Sequence, residues 1–264
     1  MRDTIIVNFS YGGIAMNETI ETLLGHRSIR SFTDQPLTDK QIEVIVRSAQ
    51  TASTSSFIQA YSIIGITNPS TKETLAELAG NQPYVKDNGH FFVFCADLYR
   101  HEQAGAYENT DVYESIESTE KFLVSAIDAS LAAQNAAVAA ESLGLGLCYI
   151  GGLRNNIEKV SKILDLPAYV VPLFGMCIGY PAKQPEPKPR LPFENIYHKE
   201  TYNKDTKELT RSFEAYNDVI SKYYYRRTKG KRDDRWTEQI ANMLKEPKRL
   251  HMKPFLENKG FIKY

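Results

Sequence analysis

Residues 141–158 read ESLGLGLCYIGGLRNNIE. Within them Leu147–Ile150 is a short apolar run with glycines on both sides, the pattern of a buried strand that ends in a turn. Gly144 and Gly146 precede that strand instead of following it, and Tyr149 occupies the third glycine place of a GxGxxG pattern, so this is not the phosphate loop of a dinucleotide-binding βαβ unit. Upstream, SLAAQNAAVAAES carries alanine on nearly every face; it predicts a helix over about 116–143 that is buried on several sides, central in the protein or at a subunit interface. Downstream, a helix is expected near 155–164.

Working outward, the apolar, β-branched runs at 61–67, 90–96 and 170–179 predict three further strands. Asn17 can satisfy first-turn amides and Gly25 stands where a short helix must stop. Thr38 and Gln41 form a capping box, and Ile42, Ile45, Val46 and Ala49 repeat at helical spacing, so a helix runs from about 39 to 51. With another near 70–79, helices and strands alternate. Five prolines in residues 181–192 favour an extended, semi-rigid strap. Beyond it come a polar helix around 207–226, a charged turn and another helix. Residues 16–264 therefore read as one domain, with 181–264 a C-terminal wrapping extension; residues 1–15 read as a loosely attached N-terminal extension, with Met16 an alternative start.

Composition narrows the function classes. The 264 residues contain 42% hydrophobic side chains, 12 Pro and 15 Gly, which is ordinary globular composition. Lys and Arg number 32, as do Asp and Glu, so whole-protein attraction to nucleic acid or anionic membrane is disfavoured. Residues 181–264 nevertheless hold 20 basic against 12 acidic side chains, a skew that either invites an anionic ligand or belongs to two solvated faces. Cys95, Cys148 and Cys177 lie in apolar runs without metal-ligand or disulfide spacing, which fits small buried hydrophobes in a reducing, cytoplasmic setting. Asp128, Gln134, Asn135 and Glu141 interrupt the longest apolar stretch, so no membrane span is expected. Phosphate-loop, metallopeptidase and nucleophile-elbow motifs are lacking, and the five histidines are too scattered to suggest a metal site.

What survives is His26-Arg27-Ser28-Ile29-Arg30, two guanidinium groups, an imidazole and a hydroxyl directly after a helix stop. In extended backbone the side chains at 26, 28 and 30 share one face and Arg27 takes the other. The cluster is either a salt-bridged turn or a site for a long anion such as a nucleotide phosphate with a polar ring edge. Taken with Ser53–Phe57 (STSSF), Gln82, Tyr149–Asn156 (YIGGLRNN) and Lys188–Pro192 (KPRLP), the pattern from about residue 17 onward resembles the nitroreductase superfamily, within it the NADPH-dependent FMN reductases grouped around nitroreductase A and flavin reductase P.

That resemblance implies an α+β, nitroreductase-like fold, with a central, mostly antiparallel sheet flanked by helices, in an intertwined homodimer. It implies FMN as bound cofactor, held by His26, Arg27, Ser28, Arg30, Ser55, Gln82, Tyr149, Ile150, Gly151, Gly152, Lys188 and Arg190. It implies NADPH as co-substrate, its 2′-phosphate met by Arg227 and Arg232, and oxidants bordered by Ser56, Phe57 and Lys253. Flavin N5 would carry the chemistry in ping-pong fashion, with no obligatory acid–base residue and no metal; nitroaromatics, quinones, azo compounds and free flavin are the expected oxidants. Alternatives are a reductase of a disulfide or specific metabolite, and a slow-turnover flavin carrier or redox sensor. The chain departs from the family pattern at Asp233, where a second Arg is common beside Arg232, and at Lys253, where an Arg is frequent.

Overall fold

A computed structural model describes residues 16–264. The expectation for residues 1–15 lies outside them. Four strands, β1 (Tyr61–Ile66), β2 (His90–Asp97), β3 (Gly146–Ile150) and β4 (Val170–Gly179), form one sheet in the order β1-β2-β4-β3, every neighbouring pair antiparallel. All eight residues of β2 are buried, as expected of a strand covered on both faces.

One face is covered by α2 (Asp39–Gln50) and α7 (Thr119–Ser142), whose Ala132, Ala133, Ala136, Ala137 and Ala140 pack with Ile45, Phe94, Leu147 and Ile178. Alanine lets the helix axis approach the sheet closely. By length and composition α7 is apolar enough to cross a membrane, yet it buries Ser125 and Asp128 within this fold, as a core helix can. It also leaves Leu123, Ile127 and Leu131, spaced four residues apart, exposed. The other face packs against α3 (Pro69–Leu78) and α4 (Pro83–Lys86), with Leu75, Ala76 and Val85 over Phe91, Val93 and Cys177.

The local rules behave as the sequence indicates. Asn17 caps α1 (Glu18–Leu24) through Ile20 N, and the Thr38–Gln41 capping box is fully formed. Two helices that the sequence pattern does not announce, α5 (Tyr99–Tyr107) and α6 (Tyr113–Ile116), follow β2. The stretch expected as a helix near 155–164 begins instead as a 3₁₀ segment over Gly151–Asn156, which passes into α8 (Ile157–Ile163).

The chain divides into two compact units: the described residues up to Pro185 together with His251–Tyr264, and Glu186–Leu250. The second contains α9 (Thr206–Arg227) and α10 (Trp236–Leu244), joined through Tyr216, Ile220, Tyr223, Tyr224 and Trp236. The final helix, α11 (Met252–Asn258), belongs to the first unit, where Phe255, Leu256 and Phe261 pack among Leu98, Ala129 and Tyr169.

Candidate functional site

The HRSIR pentapeptide runs beside β3. Ser28 forms a parallel bridge with Leu147, Ile29 N donates to Leu147 O at 2.8 Å, and Ile29 is buried against Gly146. This fixes the alternation: Arg27 shares with Ile29 and Gly146 a cleft of about 300 Å³ that Glu21 and Glu141 also line, while Ser28 and Arg30 border the Cys148 thiol on the next strand. His26 Nδ1 is 2.7 Å from Glu141 Oε1, which orients the imidazole. Among the described residues neither Arg27 nor Arg30 forms a direct ion pair, although Glu21 and Glu141 line the cleft that Arg27 enters.

Arg30 connects this segment to Gln82 through a residue that the sequence reading did not select. Tyr84 OH donates to Gln82 Oε1 at 2.6 Å and meets the Arg30 guanidinium. Burial, aided by the nearby Cys148, raises the Tyr84 phenol pKa, and Arg30 opposes that rise. The Cys148 thiol is likewise pushed up by burial against the pull of Arg30 and Ser28, so it stays a neutral, inert thiol. Gln82 Nε2 donates to Ala79 O at 2.7 Å, and a Cβ on Gly152 would fall 2.3 Å from that carbonyl and 2.7 Å from Gln82 Nε2. Only glycine fits there. Arg30, Tyr84, Gln82 and Gly152 thus form one continuous group at the end of β3.

Ile150, buried, and Gly151 continue the same backbone. Tyr149, half-exposed, anchors its hydroxyl on Ala133 O of α7 at 3.0 Å and sets its ring edge-on to Phe174. Burial, then the Glu141 charge, raises its phenol pKa well above the ordinary value.

Ser55, Ser56 and Phe57 form a 3₁₀ turn in which Ser56 (φ 48°), Phe57 (φ 60°) and the following Gln59 (φ 53°) all take left-handed backbone conformations that side chains disfavour. Asp128 of α7 holds the loop in this shape: its carboxylate, 1% exposed, accepts from Ser55 N and Ala60 N, each at 3.1 Å. His101 Nε2 lies 2.7 Å from Ile58 O, and Arg100 donates to Gln59 O at 3.2 Å. Phe57 is 81% exposed. A cleft of about 560 Å³ lined by Ile58, Gln59, Arg100 and His101 borders the loop and contains none of the residues selected from sequence.

In the second unit Lys188 and Arg232 both reach Tyr224, Arg227 donates to Tyr223 OH at 2.9 Å, and Arg190 acts on Tyr216, whose hydroxyl donates to Pro189 O. Arg232 is also paired with Asp234, Nη2 to Oδ2 at 2.5 Å. Lys253 stands exposed on α11 of the first unit, 3.8 Å from Glu257. Tyr84, Asp128 and Tyr224 are the organising residues that the motif reading passed over. Asp128 had a signal, a carboxylate within an alanine-rich helix.

The donor set fits a phosphorylated ring cofactor. Two guanidinium groups make no direct ion pair among the described residues, a hydroxyl and an amide flank them, and glycines end the adjoining strand. Residues 23–180 match the model of the nitroreductase family, and residues 188–264 match that of the nitroreductase family, C-terminal domain. The chain is 54% identical over 248 residues to a protein of Bacillus subtilis (strain 168) named FMN reductase (NADPH), covering 94% of this chain and all of the relative. Among solved structures, B. megaterium NfrA1 superimposes with a TM-score of 0.92 at 58% identity, and the NADPH:FMN oxidoreductase of Vibrio harveyi complexed with NAD⁺ with a TM-score of 0.85 at 39% identity; each match covers 94% of this chain and 100% of the other.

Proposed function

The chain belongs to the nitroreductase family, and from that premise we infer that it is an NADPH-dependent FMN oxidoreductase. The observation that carries the reading is the continuous group Arg30–Tyr84–Gln82–Gly152, in which the Arg30 guanidinium makes no ion pair among the described residues. FMN, when bound, supplies the hydride-accepting and hydride-donating centre. In this reading His26, Arg27, Ser28 and Arg30, set on alternating sides of an extended segment, share its phosphate and polar ring edge, Ser55 and Gln82 hydrogen-bond its polar atoms, and Tyr149–Gly152 lie along the ring. The glycines remove side chains where backbone must approach closely.

Lys188 and Arg190 are assigned to FMN as well, where positive charge near the N1–O2 edge favours the reduced anion. Arg227 and Arg232 are assigned to the 2′-phosphate of NADPH, because guanidinium forks suit a dianion and gain little from a ribose hydroxyl. Ser56, Phe57 and Lys253 border the oxidant. NADPH and the oxidant use one open site in turn, so turnover is ping-pong and tolerant of nitroaromatics, quinones, azo compounds and free flavin. The exposed Leu123, Ile127 and Leu131 stripe supports a homodimer formed across α7. Three cysteines without disulfide partners fit a cytoplasmic enzyme.

The test is an anaerobic half-reaction. FMN-loaded protein is mixed with limiting NADPH, then separately with NADH, and the visible spectrum is recorded. Rapid bleaching by NADPH, followed by recovery of colour on adding menadione or a nitroaromatic, is expected. Protein that takes up no FMN, or is not bleached, refutes the reading.

A further inference from the structure

Tyr224 stands between two cations of the second unit to which separate tasks are assigned above. Its hydroxyl accepts a hydrogen bond from Lys188 Nζ at 2.8 Å and faces Gln239 Oε1 at 3.4 Å. Lys188 Nζ also lies 5.1 Å from the ring centroid, and the Arg232 guanidinium carbon lies over the same ring at 4.5 Å. The ring is buried, rooted in α9, and meets Tyr223 edge-on. Burial works to raise the phenol pKa, but the hydrogen bond from Lys188 and the charges of Lys188 and Arg232 outweigh it and hold the phenol below its ordinary value.

Lysine and arginine have the most rotamer freedom to lose on binding an anion, so a fixed aromatic platform that orders them beforehand strengthens whatever they bind. The tyrosine offers two separable handles, an oxygen for the ammonium and a π face for the guanidinium. We propose that Tyr224 is a positioning residue for both cations, its hydroxyl ordering the Lys188 ammonium for its flavin role and its ring face ordering the Arg232 guanidinium for the 2′-phosphate of NADPH. This rests on the roles given to Lys188 and Arg232 above.

The two handles are removed separately. Tyr224→Phe deletes the oxygen and keeps the ring; Tyr224→Leu deletes both. FMN dissociation constant and flavin reduction potential report on Lys188. Binding of 2′,5′-ADP, with 5′-AMP as the probe lacking a 2′-phosphate, reports on Arg232 without turnover. Tyr224→Phe is expected to weaken FMN about fivefold and make the potential more negative, leaving 2′,5′-ADP affinity within about twofold. Tyr224→Leu is expected to weaken 2′,5′-ADP about fivefold as well, with 5′-AMP unaffected.

Unchanged FMN affinity and potential in Tyr224→Phe overturn the proposal, and that near-isosteric variant decides this even where Tyr224→Leu does not fold. Equal losses for 2′,5′-ADP and 5′-AMP in folded Tyr224→Leu also overturn it. Lys188→Ala and Arg232→Ala are the controls: if neither moves its own readout, the functional assignments fail first and the proposal falls with them.

Discussion

Replacing Asp128 by Ala tests whether the Ser55–Phe57 turn is held in a strained shape by one buried carboxylate. Two backbone donors, Ser55 N and Ala60 N, lose a charged acceptor at 3.1 Å. Hydrogen bonds to charged groups contribute roughly 1.5–3 kcal/mol each, so a rigid loop would lose about 3–6 kcal/mol. The loop need not stay rigid. Ser56, Phe57 and Gln59 stand in left-handed conformations that cost roughly 1–2 kcal/mol apiece, and release recovers part of that. The expected net loss is therefore about 2–3 kcal/mol, accompanied by opening of residues 55–60. Asp128→Asn keeps one acceptor and should lose about half as much. Urea unfolding at fixed protein concentration gives the energy, and hydrogen exchange of the Ser55 and Ala60 amides reports the opening. A variant whose unfolding midpoint and amide protection both match wild type would refute the clamp.

Other substitutions probe the remaining parts of the site. Arg30→Ala removes the guanidinium that joins the pentapeptide to Tyr84 and Gln82, and is expected to lower FMN affinity at least tenfold, about 1.4 kcal/mol, measured by flavin fluorescence on titration. Gly152→Ala puts a methyl group 2.3 Å from Ala79 O and 2.7 Å from Gln82 Nε2, so it should destabilise by about 1–3 kcal/mol and weaken FMN through a displaced Gln82. His90, buried on β2 with Lys72 nearby, has its pKa pushed down from 6.5 to about 4, first by burial and then by the lysine charge. Between those values the unfolded chain binds a proton that the folded chain does not, so stability falls as pH drops from about 6.5 toward 4, by at most about 3 kcal/mol. His90→Gln should flatten the difference between unfolding midpoints at about pH 7.5 and about pH 5.

Strand positions were legible because apolar runs such as HFFVFCAD can hardly be anything but buried strand. Their order was not. β2 pairs with β4 across an intervening long helix, and periodicity states that a segment is a strand without naming its neighbour. The α5 sequence YRHEQAGAY is short and polar, and its helix follows β2 with Gly105 packed against Val112. In the site, the alternation expected for HRSIR is visible in Ile29, which turns to the core between Ser28 and Arg30. Asp128 could be noticed as an odd carboxylate, but its partners are backbone amides, which no side-chain pattern records. The run Tyr223-Tyr224-Tyr225 shows the same limit: the first two are buried and Tyr225 is 60% exposed, a choice made by the face α9 turns to its neighbours.

Asp233 stands where the family resemblance leads one to expect a second Arg, and its neighbour Asp234 is the carboxylate that meets Arg232. Asp234 Oδ2 takes Arg232 Nε at 2.6 Å and Nη2 at 2.5 Å, using two of the five N–H donors of the guanidinium. The remaining donors are directed away from the carboxylate, and the flat face is covered by Tyr224. The ion pair is half-exposed, 52% for the arginine side chain and 35% for the aspartate, so solvent screens it and it contributes at most about 1 kcal/mol. In the role proposed for Arg232, a competing carboxylate of that strength would reduce the local potential felt by a 2′-phosphate without cancelling it, while fixing the orientation of the fork. Asp234→Asn therefore separates two effects: weaker affinity for NADPH with NADH unchanged marks loss of orientation, whereas tighter NADPH with NADH unchanged marks relief of charge. With Tyr224 still stacked on the guanidinium, orientation survives the substitution, and the gain confined to NADPH, about two- to fivefold in KM, is the outcome to expect.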